Sequence, residues 1–436
     1  MSQPPLNIGI AGLGTVGIGT LKLLHDNAAL IGQRSGCDIQ VVAVSSRDKS
    51  RERGVDISAL QWHDNPLDLV HNDRVDVIVE LIGGAEGVAK SLCEAALEAG
   101  KSVVTANKAL IAHHGFHLAQ LAEKHNAALA FEAAVAGGIP IIQALRTGLG
   151  ANRFLRIEGI LNGTSNYILS TMRNQGRDFD DVLTEAQKLG YAEADPSFDI
   201  DGVDAAHKLA IISSLAYGCP VDFTAVHIEG IRSISASDML YAKELGYVIK
   251  LLGITAQTSR GIEQRVHPCF VEEDAPIAKV DGAYNAVVGY GDAVGTVVFE
   301  GKGAGAGPTA SSVVSDLIDI ARGGGFTPFT IPTSDLKPQT MAPMETLLSS
   351  YYIRLDVVDK PGVLADVTGI FREHAISMRS FVQHSRQPGE MVEIALTTHE
   401  ARESAMEAAL QQISALDAVM HKPQRIRIET PAAMAE

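Results

Sequence analysis

Paired cysteines are missing from this chain. Its four, Cys37, Cys93, Cys219 and Cys269, lie far apart and form no C-x-x-C. That spacing excludes a disulfide framework and a cysteine zinc site, and it predicts reduced, mostly buried thiols and a cytoplasmic setting. Long apolar runs are also missing, since no stretch reaches the roughly 18 residues of a membrane span. Met1–Leu6 has neither a basic region nor a long apolar core, so no secretory signal is expected. Positive charge is in deficit, with 36 Lys and Arg against 52 Asp and Glu, a formal net charge of −16. Such a surface repels phosphate backbones, and neither a nucleic-acid nor a membrane partner is expected. The mildly basic His421–Arg427 runs into alternating Ile426 and Ile428, which reads as a strand.

What is present is enough apolar sequence for several cores. The chain has 436 residues, 46% hydrophobic and 20% charged, which fits two or three soluble domains. Leu6–Ala11, Ile39–Val44, Val75–Leu81, Ser102–Thr105 and Ala128–Glu132 read as buried strands, with helices such as Val88–Ala99 between them. Strand–helix alternation predicts a Rossmann-type, doubly wound parallel sheet over residues 1–135, completed by 306–325. Residues 136–305 read as an α+β substrate and dimerisation domain. It has helices after Asn162 and around Asp204–Tyr217, and strands at Gly253–Thr258, Arg265–Val271 and Gly295–Phe299. A Gly-, Pro-, Thr- and Ser-rich stretch, 326–349, reads as a linker. Residues 350–436 then run strand Tyr351–Val358, helix Val363–His374, strands Ile376–Gln383 and Met391–Thr397 about a Gln387–Gly389 turn, helix Ala401–Leu416 and strand Pro423–Glu429. That βαββαβ order predicts a ferredoxin-like domain.

Three places carry chemistry. Gly12, Gly14 and Gly17 form G-x-G-x-x-G between a strand and a helix, where a tight turn, close backbone approach and helix–strand packing suit a dinucleotide pyrophosphate. The next strand ends in Ser45–Ser46–Arg47–Asp48. Arg47 can pair with a 2′-phosphate, which favours NADP with NAD possible, although a solvated loop cation is the plain alternative and Asp48 weakens the preference. Asp204 and Lys208 stand four apart on a helix, on the face of Ile211, Ile212 and Leu215 and opposite Ala206 and Ser213. Inward charge must be paired or used, so the pair is a structural salt bridge or a catalytic one. Glu193, Asp195, Asp199 and Asp201 precede it. The acid density suits a substrate ammonium, but helix-dipole stabilisation explains Asp199 and Asp201 better than Glu193 and Asp204.

Lys108 follows the strand ending at Thr105, at the edge where open α/β sheets bind ligands, although a surface lysine at a helix start is the alternative. Glu132 opens an irregular small-residue loop through Pro140, which can offer a carboxylate and carbonyl oxygens to a hard cation or can simply be capped. His113, His114 and His117 have no nearby acid or cysteine to complete a metal set and read as a polar helix face. In the last domain Gly362 removes a Cβ beside a helix start and Asp359 can cap its free N–H groups. Such a turn suits a small ligand, or the domain is a dimerisation module.

Gly12–Gly17, Ala106–Leu110, Glu132–Pro140, Gly159–Tyr167 (GILNGTSNY), Gly190–Lys208 (GYAEADPSFDIDGVDAAHK) and Gly303–Ala310 (GAGAGPTA) together resemble the homoserine dehydrogenase family over residues 7–325. The stretch around Asp359–Leu364 resembles an ACT domain, and the whole is similar to the monofunctional, threonine-regulated branch. The resemblance implies NAD(P)-dependent interconversion of L-aspartate 4-semialdehyde and L-homoserine, in threonine, methionine and isoleucine biosynthesis. It implies Lys208 as proton donor, Lys108 as a second lysine of the cofactor and substrate site, and Glu193 and Asp204 as substrate ligands. Leu13, Thr15, Val16, Thr105, Gly190 and Gly305 join the three motif glycines and Arg47 beside the cofactor. Glu132 with the backbone oxygens of Val135, Gly137 and Ile139 matches a sodium site, and Asp359 and Gly362 match an effector site for L-threonine. A homodimer or homotetramer is implied. Another amino-acid dehydrogenase of similar fold, or a sensor with a scaffold nucleotide domain, remains as a rival.

Overall fold

A computed structural model describes residues 4–323, 327–383 and 391–430. Six short strands, β1 (Leu6–Ala11), β2 (Ile39–Ser45), β3 (Gln61–His63), β4 (Val77–Glu80), β5 (Ser102–Thr105) and β6 (Leu129–Ala130), form one parallel sheet in the order β3-β2-β1-β4-β5-β6. The chain leaves β1 in one direction and returns to β4 on its other side. The carboxyl ends of β1 and β4 therefore border a crevice, the place where such sheets bind ligands. Ile8, Ile10, Val77 and Val79 are fully covered, as expected of strands with helices on both faces. Helix Ala306–Ala321 returns from far along the chain to cover this sheet. It lies so close to helix Thr15–Asp26 that a Cβ on Gly19 would stand 2.5 Å from the Ala306 carbonyl.

The second sheet is larger than the sequence suggests. Its strands are β7 (Phe154–Ile160), β8 (His227–Ile228), β9 (Tyr247–Thr258), β10 (Gly261–Glu272), β11 (Tyr284–Gly291), β12 (Gly295–Lys302), β13 (Leu348–Val358), β14 (Met378–Gln383), β15 (Met391–Thr398), β16 (Ala401–Arg402) and β17 (Gln424–Glu429). The order is β12-β11-β7-β9-β10-β17-β13-β15-β14, with β8 on β10 and β16 on β13. Its last four strands, β17-β13-β15-β14, are the sheet of the predicted ferredoxin-like domain. Its helices are Val363–Glu373 and Glu403–Ser414, the second shorter than expected because Ala401–Arg402 pairs as a strand. The Gln387–Gly389 turn lies outside the described residues.

One parallel pairing, β17 on β10, fuses the two halves: Cys269 lies opposite Arg427, Phe270 opposite Ile428 and Val271 opposite Glu429. The seam is charged and buried. Glu429 takes Arg156 at 2.8 Å and Arg265 at 2.5 Å, and Arg427 spans Glu229 at 2.8 Å and Glu403 at 2.5 Å. His267, Cys269 and Glu429 stand close enough to share a metal ion. The Arg265 guanidinium already fills that role, 2.9 Å from His267 Nε2 and 2.5 Å from Glu429 Oε1. All four cysteines are buried free thiols.

The stretch read as a linker is irregular but not loose. Phe329 is fully buried, Thr333 N–H donates to Glu123 at 2.9 Å, Met341 bridges Ile262, and β13 begins at Leu348 inside it. Apolar and hydroxyl side chains among its prolines let it pack where composition alone suggests a tether.

Candidate active site

The glycine loop works through backbone. Gly12 has φ +104°, and a Cβ there would stand 2.5 Å from the Leu81 carbonyl; one on Gly17 would stand 2.1 Å from the Gly12 carbonyl. Only glycine fits at either position. A Cβ on Gly14 meets nothing, so that side of the turn is open. Gly14 starts helix Thr15–Asp26 with no side-chain cap, leaving its N–H groups free for an anion. Leu13 is buried in the core and Val16 partly so, which leaves their backbone to face a ligand. Gly305, φ +117°, starts helix Ala306–Ala321, also without a side-chain cap. The close approach of Ala306 to Gly19 puts this second free helix start within about a turn of the first.

Arg47 is exposed just after β2. Asp48 is engaged locally: its Oδ1 takes the Ser50 N–H at 2.8 Å and hydroxyl at 2.7 Å, which holds the carboxyl below its usual pKa. Sequence reasoning missed Arg53. Its guanidinium folds back on the Asp48 carbonyl and Ser46 Oγ and lies 5.6 Å from the Trp62 ring centre, with Lys49 at 5.9 Å from the same ring. The edge beside β2 is thus basic and aromatic, a shape that suits an adenosine phosphate.

The next loops are tied together by Glu80, another residue the sequence did not single out. It ends β4 fully buried, and its carboxylate takes the N–H groups of Ile82 at 2.7 Å and Gly83 at 2.9 Å and the Thr105 hydroxyl at 2.6 Å. Thr105 Oγ1 accepts from the Asn107 N–H at 3.0 Å, and Asn107 caps helix Lys108–Lys124 through Leu110. This chain of bonds sets Lys108 at the carboxyl end of β5.

From there Lys108 Nζ reaches 3.1 Å to Asp204 Oδ1, which joins the first sheet to helix Val203–Tyr217 of the middle domain. That helix is covered all round from Asp204 to Leu215. Ala206 and Ser213, expected on an open face, are buried because the helix runs between β9–β10 and helix Lys108–Lys124. Lys208 Nζ donates to Asp204 Oδ2 and to the Leu161 carbonyl, both at 2.7 Å, and is only 8% exposed. Asn162 caps helix Gly163–Gln175 through its Oδ1, while its Nδ2 donates at 2.7 Å to both Asp204 and Asp199. Asp199, which dipole stabilisation explained from sequence, thus belongs to this cluster.

Burial raises the cost of charge throughout the cluster. It works against the Asp204 carboxylate, yet the Lys208 and Lys108 ammoniums hold that group far below the usual carboxylate range. Burial pushes Lys208 down, Asp204 pulls it back, and Lys108 pushes it down again. Burial and the neighbouring Asp204 raise Asp199. His207, between them on the helix, is pushed down to about 4 by burial and by His113, whose Nε2 is 3.2 Å away.

His113 lies against His207 and Phe223 yet stays exposed, and His114 and His117 face acids, Glu86 and Glu94, as on a polar helix face. Glu193 is not brought into the cluster. It is exposed in the loop after Gly190 (φ +77°), and its carboxylate has no partner among the described residues.

Glu132 is buried, with one oxygen taking the Ile142 N–H at 2.9 Å and the other the Gln143 N–H at 2.7 Å; burial pushes it up to about 7. Ala136 and Gly137 have positive φ, the Gly137 carbonyl accepts from Ser312 at 2.5 Å, and that of Ile139 accepts from Ile141 at 2.8 Å. In the last domain Gly362, φ +99°, starts helix Val363–Glu373 with no side-chain cap, and a Cβ there meets nothing. Among the described residues no hydrogen bond joins Asp359 to the first N–H groups of this helix.

Known proteins share this arrangement. Family models described as homoserine dehydrogenase, its NAD binding domain, and the ACT domain match residues 140–318, 12–132 and 351–418. The homoserine dehydrogenase of Neisseria gonorrhoeae is 47% identical over 432 residues, covering 98% of this chain and 99% of the relative. The crystal structure of a homoserine dehydrogenase from Thiobacillus denitrificans aligns with a TM-score of 0.93 at 47% identity, over 98% of this chain and 99% of that one. A hyperthermophilic archaeal homoserine dehydrogenase in complex with NADPH aligns with a TM-score of 0.64 at 28% identity, over 74% of this chain and 99% of that one.

Proposed function

The chain belongs to the homoserine dehydrogenase family, an oxidoreductase with a dinucleotide-binding domain and a C-terminal ACT domain, and from that premise we propose how its residues divide the work. The reaction is the NAD(P)H-dependent interconversion of L-aspartate 4-semialdehyde and L-homoserine. A working division is 1–135 with 306–325 for the cofactor, 136–305 for the substrate, 326–349 as connector and 350–436 for regulation.

The cradle fits a nicotinamide dinucleotide: the open side of Gly14 and two uncapped helix starts, at Thr15 and after Gly305, take the pyrophosphate, and Thr105 and Gly190 are proposed to border the bound cofactor. When bound, the cofactor supplies or accepts the hydride at the aldehyde carbon. Arg47 and Arg53 favour a 2′-phosphate and hence NADPH, the ligand named for the archaeal relative.

The single observation that carries the mechanism is the state of the Lys208 ammonium. Two of its three N–H groups are used, by Asp204 and Leu161, which leaves one to point at a reacting oxygen. In reduction the aldehyde oxygen gains negative charge as its carbon takes hydride. Lys208 steadies that charge and gives up a proton to form the hydroxyl; in oxidation the neutral amine takes it back. Asp204 holds both lysines and has one lone pair, on Oδ1, to share with the substrate ammonium. Glu193 joins it only if the exposed loop 190–196 folds over the substrate.

A sodium ion is the finer proposal for the Glu132 loop. The donors are of the right kind, a buried carboxylate and the carbonyls of Val135, Gly137 and Ile139. All but the Val135 carbonyl already hold hydrogen bonds, so a cation shares these oxygens and steadies the turn between the two domains. L-threonine is proposed as feedback inhibitor, at the open helix start beside Asp359 and Gly362, and a homodimer or homotetramer as the assembly.

The deciding assay is homoserine oxidation with NADP and with NAD, with and without threonine. Turnover with NADP preferred and Arg47→Ala or Arg53→Ala erasing that preference is expected. No turnover with either cofactor overturns the reading.

A further inference from the structure

Leu161 lies just past the end of β7, and its carbonyl oxygen accepts two hydrogen bonds. One comes from Lys208 Nζ at 2.7 Å, the other from Asn285 Nδ2 at 3.0 Å. Asn285 is the second residue of β11 and only 1% exposed. Only its Nδ2 can donate to a carbonyl, which fixes how the amide is turned. Its Oδ1 is then buried with no hydrogen-bond partner among the described residues. An unpaired buried acceptor is costly, and an aliphatic side chain of similar shape would avoid that cost. Packing therefore does not explain an asparagine here, whereas the one bond it makes does.

That bond braces a peptide plane on which the cluster depends. The Leu161 carbonyl and the Asn162 N–H belong to one planar unit. Lys208 hangs from the carbonyl, and the Asn162 side chain, next along, holds Asp204 and Asp199, each at 2.7 Å. Rotation of the plane would carry the Lys208 ammonium with it. Asn285 reaches the plane from a different strand, 124 residues further along the chain.

The same side chain touches the loop that leads to the cofactor cradle. A Cβ on Gly303 would overlap the Asn285 amide, so the backbone there lies directly against it. Gly303 comes two residues before Gly305, where the second uncapped helix starts. A Cβ on Gly163 would stand 3.5 Å from Asn285 Oδ1, which places the amide beside the start of helix Gly163–Gln175 as well.

We propose that Asn285 is a positioning residue for the reaction: it holds the Leu161 peptide plane against the Gly303 loop and so sets the Lys208 ammonium relative to the bound cofactor. It acts through Leu161 and Lys208. The inference rests on Lys208 as proton donor and on the cofactor lying at Gly305. Without the brace, the hydrogen bond from Lys208 to Leu161 loosens. That bond favours the charged form of the lysine, so its loss moves the Lys208 titration to lower pH.

The test is a double-mutant cycle on homoserine oxidation with NADP, using Asn285→Leu, Lys208→Ala and the two combined. Asn285→Leu keeps the bulk and removes both polar atoms, so it should melt close to the parent and bind NADP as tightly. Its kcat should fall roughly 10–100-fold, with a much smaller change in the KM for homoserine. The inflection of kcat with pH should move lower, and the primary deuterium isotope effect on kcat should rise. In the Lys208→Ala background the same substitution should cost no more than about twofold. Gly303→Ala pushes on the amide while leaving Asn285 in place; it should reproduce the rate loss and the pH shift, and it decides the matter if Asn285→Leu does not fold. Parent-like kcat and pH profile in these variants overturn the inference and leave Lys208 as the donor. A rate loss without a pH shift, or one that multiplies with that of Lys208→Ala, also overturns it. An unchanged kcat in Lys208→Ala alone removes the donor and this inference together.

Discussion

Lys208 Nζ stands 2.7 Å from Asp204 Oδ2, one helical turn earlier, inside a helix with no solvent face between them. Desolvation makes an unpaired charge there costly, so each residue keeps the other ionised.

Lys208→Ala removes the proton donor but leaves Asp204 paired with Lys108 at 3.1 Å. The variant should bind cofactor normally, and its kcat should fall roughly 10²–10⁴-fold with a much smaller change in KM. Steady-state kinetics in both directions checks this. An unchanged kcat removes Lys208 from the chemistry.

The two directions should respond oppositely to pH. Reduction needs the Lys208 ammonium and should decline as pH rises through its burial-lowered pKa; oxidation needs the neutral amine and should rise over the same interval. Asp204→Asn deletes the carboxylate that pulls this pKa up, so both inflections should move to lower pH. Profiles of kcat for parent and variant, with coincident inflections counting against the pairing, make the test.

His207 sets an acid limit on stability. Burial and His113 hold its folded pKa at about 4, below the 6.5 of a free imidazole, so between those values the unfolded chain binds a proton that the folded chain refuses. Stability is therefore lost as pH falls from 6.5 towards 4, by up to about 3 kcal/mol from this group. His207→Gln should flatten that slope in denaturant titrations from pH 7 to pH 4. A slope equal to the parent's contradicts it.

Gly14→Ala and Gly17→Ala should separate binding from folding. A Cβ at Gly14 meets no protein atom, so this variant should melt as the parent does yet bind NADP(H) at least tenfold more weakly. At Gly17 the Cβ falls 2.1 Å from a carbonyl, and destabilisation should accompany the lost binding. Melting curves and cofactor titrations of the pair distinguish the two effects.

Glu429→Gln strips one carboxylate from Arg156 and Arg265 at the buried seam. Breaking such a pair from one side costs about 3–5 kcal/mol, because the remaining guanidiniums stay desolvated. Denaturant unfolding should show a loss of this size with the catalytic rate of the surviving folded fraction unaltered.

Sequence legibility followed the range of the interaction. The glycine loop and the Asp204–Lys208 pair were readable because turn chemistry and the helical period are local. Asn162 was readable only as a helix start; its bridge from Asp199 to Asp204 spans 37 and 42 residues and has no period to announce it. Glu80 looked like the end of an apolar strand, and its 25-residue reach to Thr105 was invisible. Arg53 lay beyond the strand end where an adenosine-recognising residue is sought. The union of β10 with β17 escaped notice because each read as a complete strand of its own domain.

That union also constrains how the chain is made. The β10 edge, with Cys269 and Phe270 on it, finds its neighbour only after synthesis has passed Glu429, more than 150 residues later. Until then the nascent chain presents the unpaired outer edge of β10, with Arg156 and Arg265 held only by Glu158 and Glu263, and a chaperone or a stray strand is able to capture that edge.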